Sequence, residues 1–181
     1  RAEMLAELAR GRTVLAVAGT AGKTTTTGML GWTLEQLGAD PTVVNGGALV
    51  DWADARRVGN VRRGGDAAPW VVEVDESDRS LLNFRPEWTI LTNVSQDHFT
   101  LAEVQALFRA YAAQVETGIV CGAGVAAILG TQKAKIVEVA TQPERTAAGY
   151  AVAWRGLPLA VSQPGAHNAM NALMAAELCA Q

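Results

Sequence analysis

Cysteine is nearly absent. Cys121 and Cys179 stand far apart and in no metal or redox spacing, which excludes a disulfide-built scaffold and makes free thiols in a reducing compartment the expectation. Excess positive charge is missing too: with a net charge of -3 the chain has no electrostatic reason to meet nucleic acid or an anionic membrane. No apolar run reaches the length of a membrane span and no charged-then-apolar leader follows Arg1, so a cytoplasmic location is expected. Lysine is scarce, three residues against twelve arginines, a bias from which no function follows. What remains is a globular composition, 49% hydrophobic and 18% charged, in a length that suits one well-cored domain. Beginning at Arg1 and stopping in an Ala-rich helical stretch at Gln181, the chain reads as cut from something longer.

The most informative stretch is Thr13 to Thr27, TVLAVAGTAGKTTTT. Thr13 to Ala18 is a β-branched, apolar run that suits a buried parallel strand. A turn follows at Gly19, Thr20, Ala21 and Gly22. Beyond it Lys23, Thr24 and Thr25 open a segment whose Met29, Leu30, Thr33, Leu34 and Leu37 recur at helical spacing. Strand, glycine turn and helix form a phosphate-binding arrangement: the backbone approaches the ligand closely, and the first N–H groups of the helix and its dipole favour an anion. Lys23 is expected to reach the outer phosphates and the Thr24 hydroxyl to meet a magnesium ion. Position 17 is Val where the full phosphate-loop pattern has its first glycine, so the match is partial. A plain strand-to-helix turn capped by threonines is the alternative.

Around this stretch, strand and helix signals alternate. Arg1 to Arg10, with Met4, Leu5 and Leu8 on one face, predicts a lead-in helix ended by Gly11. Pro41 to Val44 is a second strand with the glycine-rich loop Asn45, Gly46, Gly47 at its carboxyl end, where open α/β sheets place ligands. Asp51 to Gly65 carries Arg56, Arg57, Arg62 and Arg63, either a solvated hairpin or a source of one contact to an anionic substrate. Pro69 to Asp75 is a third strand, with Glu73, Asp75, Glu76 and Asp78 clustered at its end, a grouping that calls for a cation or solvent. Glu87 to Asn93 is a fourth strand, followed by Val94, Ser95, Gln96, Asp97 and His98. Thr100 with Glu103 predicts a capping box for a helix to Val115. Thr117 to Cys121 and Lys135 to Ala140 are further strands, and Gly149 to Val161 reads as two extended pieces with a turn near Gly156 and Pro158. A final helix opens with His167, Asn168 and Asn171. The alternation predicts a doubly wound, mostly parallel α/β sheet in a single domain.

The phosphate loop, Glu73, His98 and the Asn45 to Gly47 loop all reach one edge of such a sheet. Thr24 and Glu73 are natural oxygen ligands for magnesium. His98, a softer donor that alone would read as a helix-start or core histidine, gains weight from its place after Asp97 and just past a strand.

The ordered series GTAGKTTTT, EVDESD, TNVSQDH and PGAHNAMN resembles the central ATPase domain of the Mur ligases of peptidoglycan synthesis, over nearly the whole chain. EVDESD and the NGG after the second strand are most similar to the branch that adds L-alanine to UDP-N-acetylmuramate. The resemblance implies ATP and magnesium as cofactors. Gly19 to Thr25 would cradle the phosphates, Thr24 and Glu73 would hold one magnesium, and His98, oriented by Asp97, would serve a second. Lys23, Asn93, Asp97 and His98 would be the catalytic set, His167, Asn168 and Asn171 would hold the adenine, and Asn45, Gly46 and Gly47 would face the substrate. The implied chemistry is an acyl phosphate on a carboxylate, then attack by an amino-acid amine. A nucleotide sugar and an amino acid would be the partners, brought by amino-terminal and carboxyl-terminal domains that residues 1–181 lack. Ala21 and Thr100 stand where that branch usually has His and Asp. The absence of lysine between Lys23 and Lys133 fits that branch better than relatives with a carbamoylated lysine. The muropeptide ligases, folylpolyglutamate synthases, cyanophycin synthetases and a non-catalytic nucleotide-binding module remain alternatives.

Overall fold

The computed structural model describes residues 2–96 and 99–181, so Asp97 and His98 lie outside the described residues. At its centre is β1 (Val14–Ala18), every residue of which is buried. It is flanked by β4 (Trp70–Glu73) and β5 (Trp88–Leu91), both parallel to it. Outward on one side lie β2 (Thr42–Val44) and β3 (Val61–Arg62), and on the other β6 (Gly118–Gly122) and β7 (Lys135–Val139), giving the order β3-β2-β4-β1-β5-β6-β7. All neighbours are parallel except β3, which runs antiparallel on β2. The expected doubly wound sheet is present. Connections leave β1 toward one half of the sheet and return to the other, so its carboxyl end lies at the switch point where such sheets open a crevice.

The two-residue period of β1 divides its side chains between two cores. Ala16 and Ala18 join Phe108, Tyr111, Val104, Val125 and Leu129 beneath α3 (Leu101–Ala112) and α4 (Val125–Leu129). Leu15 and Val17 join Leu30, Leu173, Met174 and Leu178 beneath α2 (Lys23–Gln36) and α5 (Ala166–Cys179). Tyr111 is wholly buried and its hydroxyl meets Thr89 Oγ1 at 3.0 Å, which satisfies both groups where water is absent. Thr100 and Glu103 form the expected capping box on α3.

Some packing departs from expectation. In α2 the buried residues are Thr26, Thr27, Gly28, Leu30 and Gly31, whereas Leu37 is exposed. The missing side chain of Gly31 lets Val43 and Trp52 close on the helix. In α1 (Ala2–Leu8) the residues that pack are Leu5 and Ala6, while Met4 and Leu8 face solvent. A separate three-stranded antiparallel sheet, unforeseen as a unit, is built from β8 (Glu144–Thr146), β9 (Gly149–Trp154) and β10 (Leu157–Val161). Its hairpin turns at Arg155 and Gly156, and Pro158 lies in the edge strand opposite Ala153 rather than in the turn. Trp154 Nε1 and Arg155 both donate to Glu177, which ties this sheet to α5 and holds the Glu177 carboxyl below the usual range, first through the Arg155 hydrogen bond. Among the described residues no helix is long and apolar enough to cross a membrane.

Candidate functional site

The loop between β1 and α2 is clamped from the segment after β5. Asn93 Oδ1 accepts from Ala21 N at 3.1 Å, and Asn93 Nδ2 donates to Ala21 O at 2.8 Å. Thr92 Oγ1 donates to the same carbonyl at 2.7 Å. Thr20 Oγ1 accepts from Ser95 N at 3.0 Å. Gly19 has φ 132°, and a Cβ there would lie 2.0 Å from Thr92 Oγ1, so only glycine allows the clamp to close. Asn93, expected among catalytic residues, here fixes the loop peptide. Thr92 is a clamp residue that the sequence reading passed over, although it adjoins Asn93 at a strand end.

Lys23 opens α2 and folds back over the loop. Its Nζ donates to Gly19 O at 2.9 Å and to Glu76 Oε2 at 2.7 Å, with Asp75 Oδ1 at 3.9 Å. One turn edge away, Thr24 Oγ1 donates to Glu73 Oε1 at 3.0 Å, and Gly46 N donates to Glu73 Oε2 at 2.7 Å. The Glu73 carboxylate thus joins the phosphate-loop helix to the glycine loop after β2. A Cβ on Gly46 would lie 2.7 Å from Glu73 Oε2, so the close approach itself requires glycine.

Asn45 is buried; its Oδ1 accepts from Gly46 N at 3.1 Å, and among the described residues its Nδ2 has no partner. It lines a crevice of about 490 Å³ together with Thr24, Thr25, Trp32, Leu49 and Gln163. Gly47 stays beside the helix start, where a Cβ would meet Thr24 Cγ2 at 2.9 Å.

From the other side α5 reaches the loop. Asn171 is buried with its amide against Gly22, where a Cβ would lie 3.2 Å from it. Asn168 Nδ2 donates to Pro164 O at 2.7 Å, and His167 is exposed with its ring against Gly165. Asn171 therefore supports the loop, and Asn168 and His167 stand nearer the solvent. His98 and Asp97, the expected second-metal pair, fall outside the described residues. No group of three or more His, Cys, Asp or Glu among the described residues is close enough to hold a metal. Thr24 with Glu73 supplies one hydroxyl and one carboxylate, a donor set that fits magnesium, which takes one or two carboxylates and completes its shell with water and phosphate.

The sequence profile of the Mur ligase middle domain matches residues 17–113, more than half of the chain. The chain belongs to the Mur ligase middle-domain family. This Mur ligase middle domain is 36% identical, over 97% of its own length, to the UDP-N-acetylmuramate–L-alanine ligase of Syntrophotalea carbinolica, of which it spans 42%. Its fold overlays on UDP-N-acetylmuramate-alanine ligase from Thermotoga maritima with a TM-score of 0.81 at 27% identity, covering 98% of this chain and 44% of that one. It also overlays on UDP-N-acetylmuramate:L-alanyl-gamma-D-glutamyl-meso-diaminopimelate ligase from Neisseria meningitides with a TM-score of 0.85 at 25% identity, covering 99% and 64%.

Outside the loop, Arg57, Arg62 and the thiols of this middle domain have structural partners or surroundings. Arg62 on β3 pairs with Glu35 at 2.9 Å and Asp40 at 2.8 Å, and Arg57 pairs with Asp54 in the loop before β3. Burial pushes the Cys121 thiol up to about 12 and the Cys179 thiol up to about 11.

Proposed function

We propose that this chain is the ATP-binding centre of an acid–amino-acid ligase that joins L-alanine to UDP-N-acetylmuramate, and that the isolated domain binds nucleotide without forming the amide. The observation that carries this reading is the convergence of Lys23, Thr24, Glu73 and Gly46 on one helix start. The relatives that carry the alanine-ligase name supply the substrate class.

In this reading the N–H groups of Gly19 to Thr25 receive the phosphates at the amino end of α2, where the helix dipole favours them. Lys23 neutralises charge that spreads over the transferred phosphoryl group. Thr24 and Glu73 hold magnesium, and His98 with Asp97 serves a second ion; when bound, such cations supply further neutralisation at the phosphates. Asn93 keeps the Ala21 peptide in register so that the loop needs no reordering when the nucleotide arrives. Asn168 and His167 face the adenine, and Asn45, Gly46 and Gly47 face the carboxylate substrate, whose oxygen takes the γ-phosphoryl group as ADP leaves; the amine of the amino acid then attacks the acyl carbon, giving the amide and releasing phosphate and a proton. The nucleotide sugar and the amino acid would be brought by segments beyond the middle domain.

Calorimetric titration with a non-hydrolysable ATP analogue and magnesium tests the reading. Binding by the wild-type chain and its loss in Lys23→Ala are expected. Equal binding by both proteins would remove the phosphate loop from the assignment, and amino-acid-dependent phosphate release by the isolated chain would refute its inactivity in amide formation.

A further inference from the structure

Glu76 is only 4% exposed, yet it ends in a carboxylate. A buried acid is tolerated when a cation meets it, and here Lys23 Nζ lies 2.7 Å from its Oε2. The lysine side chain is itself only 14% exposed. Of the three donors on the ammonium, one reaches Gly19 O and one reaches Glu76. The ion pair joins the start of α2 to the turn after β4 and holds the lysine stem folded across the loop.

This has an electrostatic consequence for the site. Lys23 is the one lysine of the loop, and its charge is balanced by Glu76, with Asp75 Oδ1 a further 3.9 Å contact. Glu73 stands on the far side of Thr24. A bare triphosphate approaching the loop therefore meets backbone donors but also several carboxylates, and the one lysine of the loop is already paired. A triphosphate that carries a divalent cation brings its own compensation.

We propose that Glu76 is the positioning residue of Lys23 and that, by balancing its charge, it makes phosphate binding conditional on a divalent cation. This rests on the reading that a nucleotide lies along the loop, and it adds a residue that acts through Lys23 without touching the phosphate. Glu76 holds the ammonium in place and raises the electrostatic cost of a metal-free anion, so that the loop accepts the metal complex in preference.

Two measurements on the full 181-residue chain test it. Ammonium-selective proton–nitrogen spectra, assigned with Lys133→Arg and Lys135→Arg, are expected to show the Lys23 signal in the nucleotide-free wild type and to lose it in Glu76→Gln, because only a firmly hydrogen-bonded ammonium exchanges slowly enough to be seen. Calorimetry with the ATP analogue in EDTA is expected to show about tenfold tighter binding by Glu76→Gln than by wild type, so that the preference for the magnesium complex over the metal-free analogue falls at least about tenfold. An unchanged Lys23 signal in Glu76→Gln, or an unchanged metal-free affinity, would overturn the proposal. Should Glu76→Gln fail to fold, the wild type decides: a Lys23 signal that shifts when the magnesium analogue is added supports the ion pair, and its absence from the folded protein overturns it. A wild type that binds no magnesium analogue refutes the nucleotide reading, and the cation condition falls with it. One that binds equally well with and without magnesium overturns the cation condition alone.

Discussion

Replacing Gly46 by alanine isolates the Glu73 contact from the stability of the fold. A Cβ at this position would lie 2.7 Å from one Glu73 oxygen and 2.8 Å from the other, so the carboxylate must retreat by roughly 0.7 Å to reach ordinary contact. That retreat weakens the 2.7 Å hydrogen bond from Gly46 N and turns Glu73 away from Thr24 Oγ1, now 3.0 Å from it. A hydrogen bond to a charged group is worth about 2 kcal/mol, so binding that needs Glu73 in place should fall by roughly thirtyfold. Gly46 itself is exposed and outside the core, so the unfolding midpoint should move by no more than about 4 °C. Titration with the ATP analogue, with and without magnesium, reads both effects: the loss should be confined to the magnesium complex. Equal weakening in EDTA would show that Glu73 acts on the loop rather than on a cation, and no weakening at all would remove Glu73 from the site.

Three further outcomes follow from the geometry. Asn93→Ala removes both side-chain bonds to the Ala21 peptide and should weaken analogue binding about tenfold with under about 2 kcal/mol lost in urea unfolding, since water can replace the bonds at an exposed loop; a stability loss with intact binding would make the clamp structural only. Phe108→Ala empties a fully buried position beneath α3 and should cost about 3–5 kcal/mol in the same unfolding assay. Cys121, raised by burial from 9.0 to about 12, carries about a thousandfold less thiolate than a free cysteine; thiol titration at pH 8 should find it silent until urea is added, and rapid labelling of the native protein would contradict the burial.

The central sheet was legible because strands buried on both faces appear as unbroken apolar runs, as in Val14–Ala18 and Gly118–Gly122. Short elements without that burial were not. β8 reads Glu-Arg-Thr and is exposed throughout, and α4 spans five residues, too few for a helical period to show. Pro158 suggested a turn, but β10 is an edge strand, where the missing N–H costs no ladder bond.

The site shows the same division more sharply. Four acids, Glu73, Asp75, Glu76 and Asp78, were visible as a cluster needing relief; Glu73 was paired with Thr24 from the sequence, but nothing in the spacing said what the other three would meet. The parallel register between β1 and β4 decides it, since Val17 stands opposite Glu73 and the following turn then falls beside the loop. Glu73 reaches Thr24 and Gly46, Glu76 takes Lys23, and Asp75 and Asp78 each accept from a backbone N–H two residues on, from Ser77 and Ser80. A carboxylate that joins Thr24 to Gly46 and one that balances the lysine thus stand three positions apart in the chain, and the pairing with β1 gives these chemically identical side chains different partners.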